Sequence, residues 1–200
     1  MAEFKILTVC SGNICRSPLA EQLLRVGLAK WPEVTLASAG TIGLTGQPMP
    51  PQAAALSRQF GGDPAAHVAR ELVSGDLMGA DLVFAMSREH RRAIAELEPR
   101  AIRYTFTIRE FSRLTANITD AELAEASVSA GDVTARFGAL APLAASQRGT
   151  VPPPATADDD DVVDPYRRSD EVYAESARQL VPAVRQVVSL FARASMVGQR

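Results

Sequence analysis

Cys10 and Arg16 are separated by five residues in the run Val9-Cys10-Ser11-Gly12-Asn13-Ile14-Cys15-Arg16-Ser17-Pro18, and this pair can hold and attack a phosphoryl group. A thiolate is a strong nucleophile. A guanidinium is a planar fork that grips two oxygens and can follow the charge of an in-line transfer without a metal. If the intervening residues curl onto a helix start, the backbone N–H groups of Ser11, Gly12, Asn13, Ile14, Cys15 and Arg16 aim at one point. The helix dipole adds positive potential there. Such a loop binds a tetrahedral oxyanion, and the same field favours the thiolate of Cys10 at its base. Gly12 and Asn13 are types that tolerate the positive φ of a tight anion-binding turn. The blander reading makes Cys10 a small buried residue and Arg16 a surface charge; the flanking elements weigh against it.

Those elements are a strand before and a helix after. Phe4 to Val9 is a β-rich apolar run that stops at Cys10, and Ser17-Pro18 is a cap with proline in the first helical turn. Val34 to Ser38, Leu82 to Met86 and Ile102 to Phe106 read as further strands, and Gln52 to Phe60 and Arg88 to Leu97 as helices. Strands alternating with helices predict an α/β fold: a four-stranded parallel sheet with helices on both faces. After Ser169, apolar residues from Tyr173 to Phe191 step by three or four, so a long terminal helix covers one face, with Pro182 expected to kink it.

Composition limits the partners. The chain has 200 residues, 46% of them hydrophobic, which suits one domain with its own core. A formal charge of −2 from mixed signs, with no dense basic stretch, argues against nucleic acid. No run reaches the roughly 18 apolar residues of a membrane span, and the N-terminus lacks a signal-peptide layout, so a cytoplasmic protein is expected. The two cysteines, Cys10 and Cys15, suggest a reactive site or a small redox pair rather than a disulfide framework.

The loop resembles the active-site loop of the low-molecular-weight protein tyrosine phosphatases, with cysteine, five-residue gap, arginine and Ser-Pro all in place. The resemblance continues through Ser38-Ala39-Gly40, Ala66 to Arg70 and Asp81 to Met86, and returns at Val163-Asp164-Pro165-Tyr166. It implies the fold of that family, a cysteinyl-phosphate intermediate, no cofactor or metal, and Asp164 as proton donor. It also implies a network beneath the loop formed by Asn13, Ser17, Ser38 and His67, in which Ser17 donates to the thiolate. By spacing alone His67 would be an ordinary loop histidine. Cys15 would act as redox partner of Cys10, forming a disulfide once Cys10 is oxidised.

Thr41-Ile42-Gly43-Leu44 replaces the aromatic rim of eukaryotic-type members, so Leu44 and Tyr166 are expected on the substrate rim. This pattern, with Asp164 to Ser169, is similar to the bacterial subgroup acting on tyrosine kinases of capsule and exopolysaccharide export. The implied partner is a phosphotyrosyl protein, such as a bacterial tyrosine kinase, with inorganic phosphate as product. A segment at about 107–161 has no place in the minimal family plan. Thr119 and Asp132 are helix-start signals within it, so the expectation is a partly helical insertion. Arg148 to Asp161, rich in proline and aspartate, then reads as a mobile tether whose acidic run is simply solvated, and the whole insertion as dispensable for chemistry.

Three other functions fit parts of the pattern. A protein arginine phosphatase shares the fold but typically carries threonine where Ile14 stands. A thioredoxin-coupled arsenate reductase needs cysteines beyond Cys15. A non-catalytic phosphotyrosine-binding module need not keep Asp164-Pro165.

Overall fold

The computed structural model describes residues 3–197. Four parallel strands, β1 (Phe4–Cys10), β2 (Val34–Gly40), β3 (Leu82–Ala85) and β4 (Thr105–Thr107), pair in the order β2-β1-β3-β4. Strand alternation sorts their side chains to two faces. Phe4, Ile6, Leu82, Phe84 and Phe106 enter the larger core, which is closed by α1 (Arg16–Gly27), α2 (Pro51–Gln59) and α9 (Asp170–Met196). Leu7, Val9, Val83 and Ala85 enter the smaller one, with Leu77 of α3 (Ser74–Met78) and Ile94 of α4 (Arg88–Leu97). The sheet and the helices on both faces match the expected α/β architecture.

The C-terminal ends of β1 and β3 lie side by side, with Val9 paired to Ala85. In open parallel sheets this is the edge where ligands sit. Here it presents the Cys10 loop next to the start of α4. Helix α1 begins at Arg16, ahead of the expected Ser17 cap, because Leu19 N–H already reaches the Cys15 carbonyl at 3.2 Å.

One strand boundary also differs from expectation. Pro99–Tyr104 forms a 3-10 helix, so the fourth strand starts at Thr105 rather than Ile102. Glu98 caps that turn by accepting from Arg100 N–H at 3.4 Å, and Thr105 Oγ1 closes it on the Ala101 carbonyl at 2.7 Å. Helix α9 runs unbroken from Asp170 through Pro182 to Met196.

The segment after β4 is more ordered than its sequence suggests. It forms α5 (Ile108–Thr115), α6 (Asp120–Ala126), α7 (Val133–Gly138) and α8 (Leu140–Ser146), and α5, α6 and α7 pack on α9. Phe111, Leu114, Leu123, Phe137 and Leu140 are buried in the larger core. Phe137 meets Phe4, Trp31 and Phe191 with ring centroids 5.9, 6.1 and 4.7 Å apart. Excising this segment would therefore strip the sheet of part of its cover, which corrects the reading of it as dispensable. The tether is corrected too: Arg148 bonds to Glu110 at 2.9 Å, and Ala157–Asp160 is a 3-10 turn. Phe137→Ala is expected to lower the unfolding free energy by about 3–5 kcal/mol, read as a shift of the urea midpoint at unchanged slope.

Candidate active site

The Cys10 loop turns at Asn13, whose φ of 55° is in the left-handed region. Gly12, expected to share that role, does not adopt positive φ. A Cβ there would come 3.3 Å from Leu44 Cδ1, so its smallness serves close approach of the rim. Asn13 is held on three sides: Arg70 N–H donates to Oδ1 at 2.9 Å, His67 Nε2 donates to its carbonyl at 2.7 Å, and its Nδ2 donates to Ser17 Oγ at 3.0 Å.

Ser17 Oγ in turn lies 3.0 Å from Cys10 Sγ and 3.4 Å from the Ala39 carbonyl. With the Asn13 amide already donating to it, the serine proton is free to point at sulfur. Asn13, Ser17 and His67 thus form one network, but Ser38 does not join it. Ser38 is buried beside His67 along one groove, yet makes no side-chain hydrogen bond to these groups; the place beside Ser17 is taken by the backbone carbonyl of Ala39.

The loop carbonyls point outward. Those of Cys10, Ser11 and Gly12 accept from Thr41, Ile42 and Leu44 N–H at 2.9, 3.0 and 3.0 Å. Among the described residues, no backbone N–H from Ser11 to Cys15 donates a hydrogen bond to the protein. Gly40 and Gly43 permit this seam: a Cβ on Gly40 would fall 2.4 Å from the Ser11 carbonyl oxygen, and one on Gly43 2.5 Å from that of Arg70.

Arg16 is buried at the end of the loop. One terminal nitrogen donates to the Val162 carbonyl at 3.1 Å, the other pairs with Asp164 Oδ2 at 2.7 Å, and Nε is buried without a partner. Asp164 Oδ1 accepts from Tyr166 N–H at 3.1 Å, which leaves the second oxygen facing the arginine. Cys10, Ser11, Gly12, Ile14, Cys15, Arg16, Ile42, Leu44, Asp164 and Tyr166 line one cavity of about 170 Å³, so the expected nucleophile, clamp, acid and rim converge. Its floor is polar and its walls are apolar, a shape for an aryl phosphate.

Residues 5–127 match the low molecular weight phosphotyrosine protein phosphatase family. The chain belongs to that family. It is 38% identical over 107 residues to the low molecular weight protein-tyrosine-phosphatase Ptp of Acinetobacter johnsonii, spanning 53% of this chain and 73% of that one. Among solved structures it resembles a low molecular weight protein tyrosine phosphatase from T. tengcongensis, at 27% identity and a TM-score of 0.66, covering 94% and 99% of the two chains. The YwlE arginine phosphatase from Geobacillus stearothermophilus is similar at 25% identity and a TM-score of 0.66, covering 94% and 93%.

Within this phosphatase site, Cys15 is not activated. Burial pushes its thiol from 9.0 up to about 12, against the lowering effect of its 3.7 Å contact with Tyr173 Oη. Among the described residues there is no cluster of three or more potential metal ligands, and no helix is long and apolar enough to cross a membrane.

The acidic run is pinned at Asp160 and Asp161, while Asp158 and Asp159 stay exposed. Asp160 receives Arg113 Nε and a terminal nitrogen at 3.2 and 2.8 Å, and its carbonyl accepts from Thr107 Oγ1 at 2.6 Å. Arg88 pairs with Asp158 and Asp161, and Arg109 donates to the Asp161 carbonyl at 2.6 Å. Val162 N–H then joins the end of β3 at the Met86 carbonyl, 2.8 Å away, and Val163 N–H reaches Gln179 of α9 at 2.8 Å.

Sequence reasoning also passed over His90. It is buried on α4, with Nε2 at 2.8 Å from Ser11 Oγ and Nδ1 at 2.8 Å from Ser87 Oγ. Burial, helped by the Arg16 charge, lowers it to about 4, so it is neutral at pH 7. The signal was present: Ser87 caps a helix at the end of β3, and His90 sits three residues on, at the same sheet edge as Cys10.

A raised thiol value means that the folded state favours protonated Cys15. That contribution is complete below pH 9, the thiol's ordinary value, and is lost as pH rises towards 12. Native protein treated with iodoacetamide at about pH 8 should leave Cys15 unmodified by peptide mass analysis, with alkylation appearing only in denaturant. Cys15→Ala should lose less stability than wild type over that alkaline range.

Proposed function

We propose that the chain hydrolyses phosphotyrosine in proteins through a cysteinyl-phosphate, with Cys10 as nucleophile, Arg16 as phosphate clamp and Asp164 as general acid and then base. The observation that carries this is a surplus of donors around one sulfur. Among the described residues, the N–H groups from Ser11 to Cys15 and the buried Nε of Arg16 have no protein acceptor, and Ser11, Gly12, Ile14, Cys15 and Arg16 line the cavity that contains Cys10. Unsatisfied donors are costly to maintain unless a ligand uses them. A phosphoryl group supplies the oxygens they lack.

In the first step Cys10 Sγ bonds to phosphorus while the phosphorus–tyrosyl oxygen bond breaks, and the Asp164 proton passes to the departing oxygen. Before substrate arrives, Asp164 is paired with Arg16. Phosphoryl oxygens compete for that guanidinium, so binding releases the carboxylate, which takes a proton from solvent and then meets the leaving group. In the second step Asp164 takes a proton from water, whose oxygen bonds to phosphorus as the sulfur–phosphorus bond breaks. Inorganic phosphate and the thiolate of Cys10 result. Ser17, aimed at the sulfur, stabilises that thiolate as it leaves.

The apolar walls formed by Ile14, Ile42, Leu44 and Tyr166 suit a phenyl ring better than a guanidinium, favouring phosphotyrosine over phosphoarginine. The family subgroup suggests a bacterial tyrosine kinase as one such substrate, in the cytoplasm. Cys15 is the partner for an oxidised Cys10, acting once its contact with Tyr173 opens and its thiol ionises.

Cys10→Ser should abolish turnover while retaining inorganic phosphate binding; appreciable activity in that variant would overturn the covalent route. Asp164→Asn is expected to slow single-turnover cleavage of a phosphotyrosyl peptide by roughly 10²–10⁴, and formation of cysteinyl-phosphate from p-nitrophenyl phosphate distinctly less. The reason is that tyrosine's phenol, with a pKa of about 10, needs the proton on leaving, whereas p-nitrophenol is far more acidic. Equal losses would place the proton donor elsewhere. Faster cleavage of phosphoarginyl than of phosphotyrosyl peptides would reverse the substrate assignment.

A further inference from the structure

The hydrogen-bond inventory around His90 can be solved. Ser87 Oγ, a buried hydroxyl, accepts from His90 N–H at 3.4 Å and lies 2.8 Å from His90 Nδ1. If Nδ1 carried the ring proton, Ser87 would accept twice, and its own proton would have no acceptor among the described residues. If Ser87 donates to Nδ1 instead, every group is used. The ring proton then sits on Nε2, which must donate to Ser11 Oγ across 2.8 Å. The tautomer that pairs every group within the protein is the favoured one.

That assignment leaves the Ser11 proton unengaged. Ser11 lines the 170 Å³ cavity that contains Cys10, and also a second cavity of about 390 Å³ beside it that includes Arg16, His90 and Asp164. We propose that Ser11 Oγ is a side-chain donor to the transferring phosphoryl group, and that His90, fixed by Ser87, is the positioning residue that orients it. The relay runs Ser87 to His90 to Ser11 to phosphoryl oxygen. Each donor is polarised by the one before it, so the last bond is strengthened. No proton is transferred. His90 remains neutral throughout, which keeps Nδ1 able to accept from Ser87. This reading rests on the phosphoryl-transfer function of the site and adds a third kind of donor to the backbone N–H groups and Arg16.

The test is a double-mutant cycle read by inorganic phosphate inhibition and by kcat on p-nitrophenyl phosphate. Ser11→Ala should weaken phosphate about tenfold, the lower end for a hydrogen bond to a charged group. His90→Leu should weaken it by a similar factor, and the double variant by no more than either single one, because His90 acts only through Ser11. His90→Gln, whose amide can reach Ser11 as Nε2 does, should recover most of the affinity. Additive effects, or unchanged phosphate affinity in Ser11→Ala with an unaltered melting temperature, would overturn the relay. Should His90→Leu fail to fold, Ser11→Ala and His90→Gln still decide: a large loss in the first with near wild-type affinity in the second supports the proposal, and any other pairing rejects it. Failure of wild-type protein to bind phosphate at all would instead count against the phosphatase reading of the site.

Discussion

The left-handed turn at Asn13 is the constraint on which the active site depends. A loop that leaves a strand and re-enters a helix within five residues can converge its N–H groups only if one residue reverses the chain, and a non-glycine residue at φ 55° costs on the order of 1 kcal/mol. Glycine would turn more cheaply. It would also forfeit the amide, whose Oδ1 takes Arg70 N–H and whose Nδ2 directs Ser17 towards Cys10. The strained residue is therefore also the one that orients the serine beside Cys10. Shape and sulfur chemistry are joined in one side chain, with His67 holding the same residue by its carbonyl.

A second consequence follows from where the loop carbonyls go. Three of them are taken by N–H groups of the segment after β2, so their own N–H groups face the opposite way and the rim is drawn over the cradle. Ile42 and Leu44 owe their positions to this seam, and the seam exists because Gly40 and Gly43 lack a Cβ. The apolar wall of the cavity and its N–H floor are two sides of one hydrogen-bonded ribbon. Moving either moves the other.

Much of this was legible in the chain and some was not, for identifiable reasons. β1, the turn and α1 are local: apolar alternation, Gly12-Asn13 and Ser17-Pro18 each carry their own signal, so the cradle was readable within a few residues. Asp164 and His67 were reached through family resemblance, since nothing local distinguishes them from other loop residues. The order of Arg148 to Asp161 was hidden because its partners, Arg88, Arg109 and Arg113, are remote in sequence, and an acidic run looks the same whether solvated or paired. The fourth strand was placed too early because Ile102 to Tyr104 are of strand-like types but belong to the 3-10 turn wound by the Glu98 cap. His90 was missed because its meaning depends on two strand ends being adjacent, a fact of topology rather than of pattern.

The placement of Asp164 shows which of those remote contacts matter. Arg88 and Asp158 are 44% and 89% exposed, and such a surface pair contributes no more than about 1 kcal/mol. Arg113 and Asp160, at 27% and 12%, form a two-pronged pair in a drier setting, and the same aspartate's carbonyl is held by the buried hydroxyl of Thr107. That joint sits where β4 runs into α5, and four residues further on the chain delivers Asp164 to Arg16. Both Arg113 and the Arg109 that holds the Asp161 carbonyl belong to α5, whose inner face is locked by Phe111 and Leu114 against the sheet and α9. The position of Asp164 is thus set through the core, by a helix in a segment that sequence alone read as an accessory. Helix α5 and the segment leading to Asp164 are one packed unit, and that segment's position follows from what α5 buries.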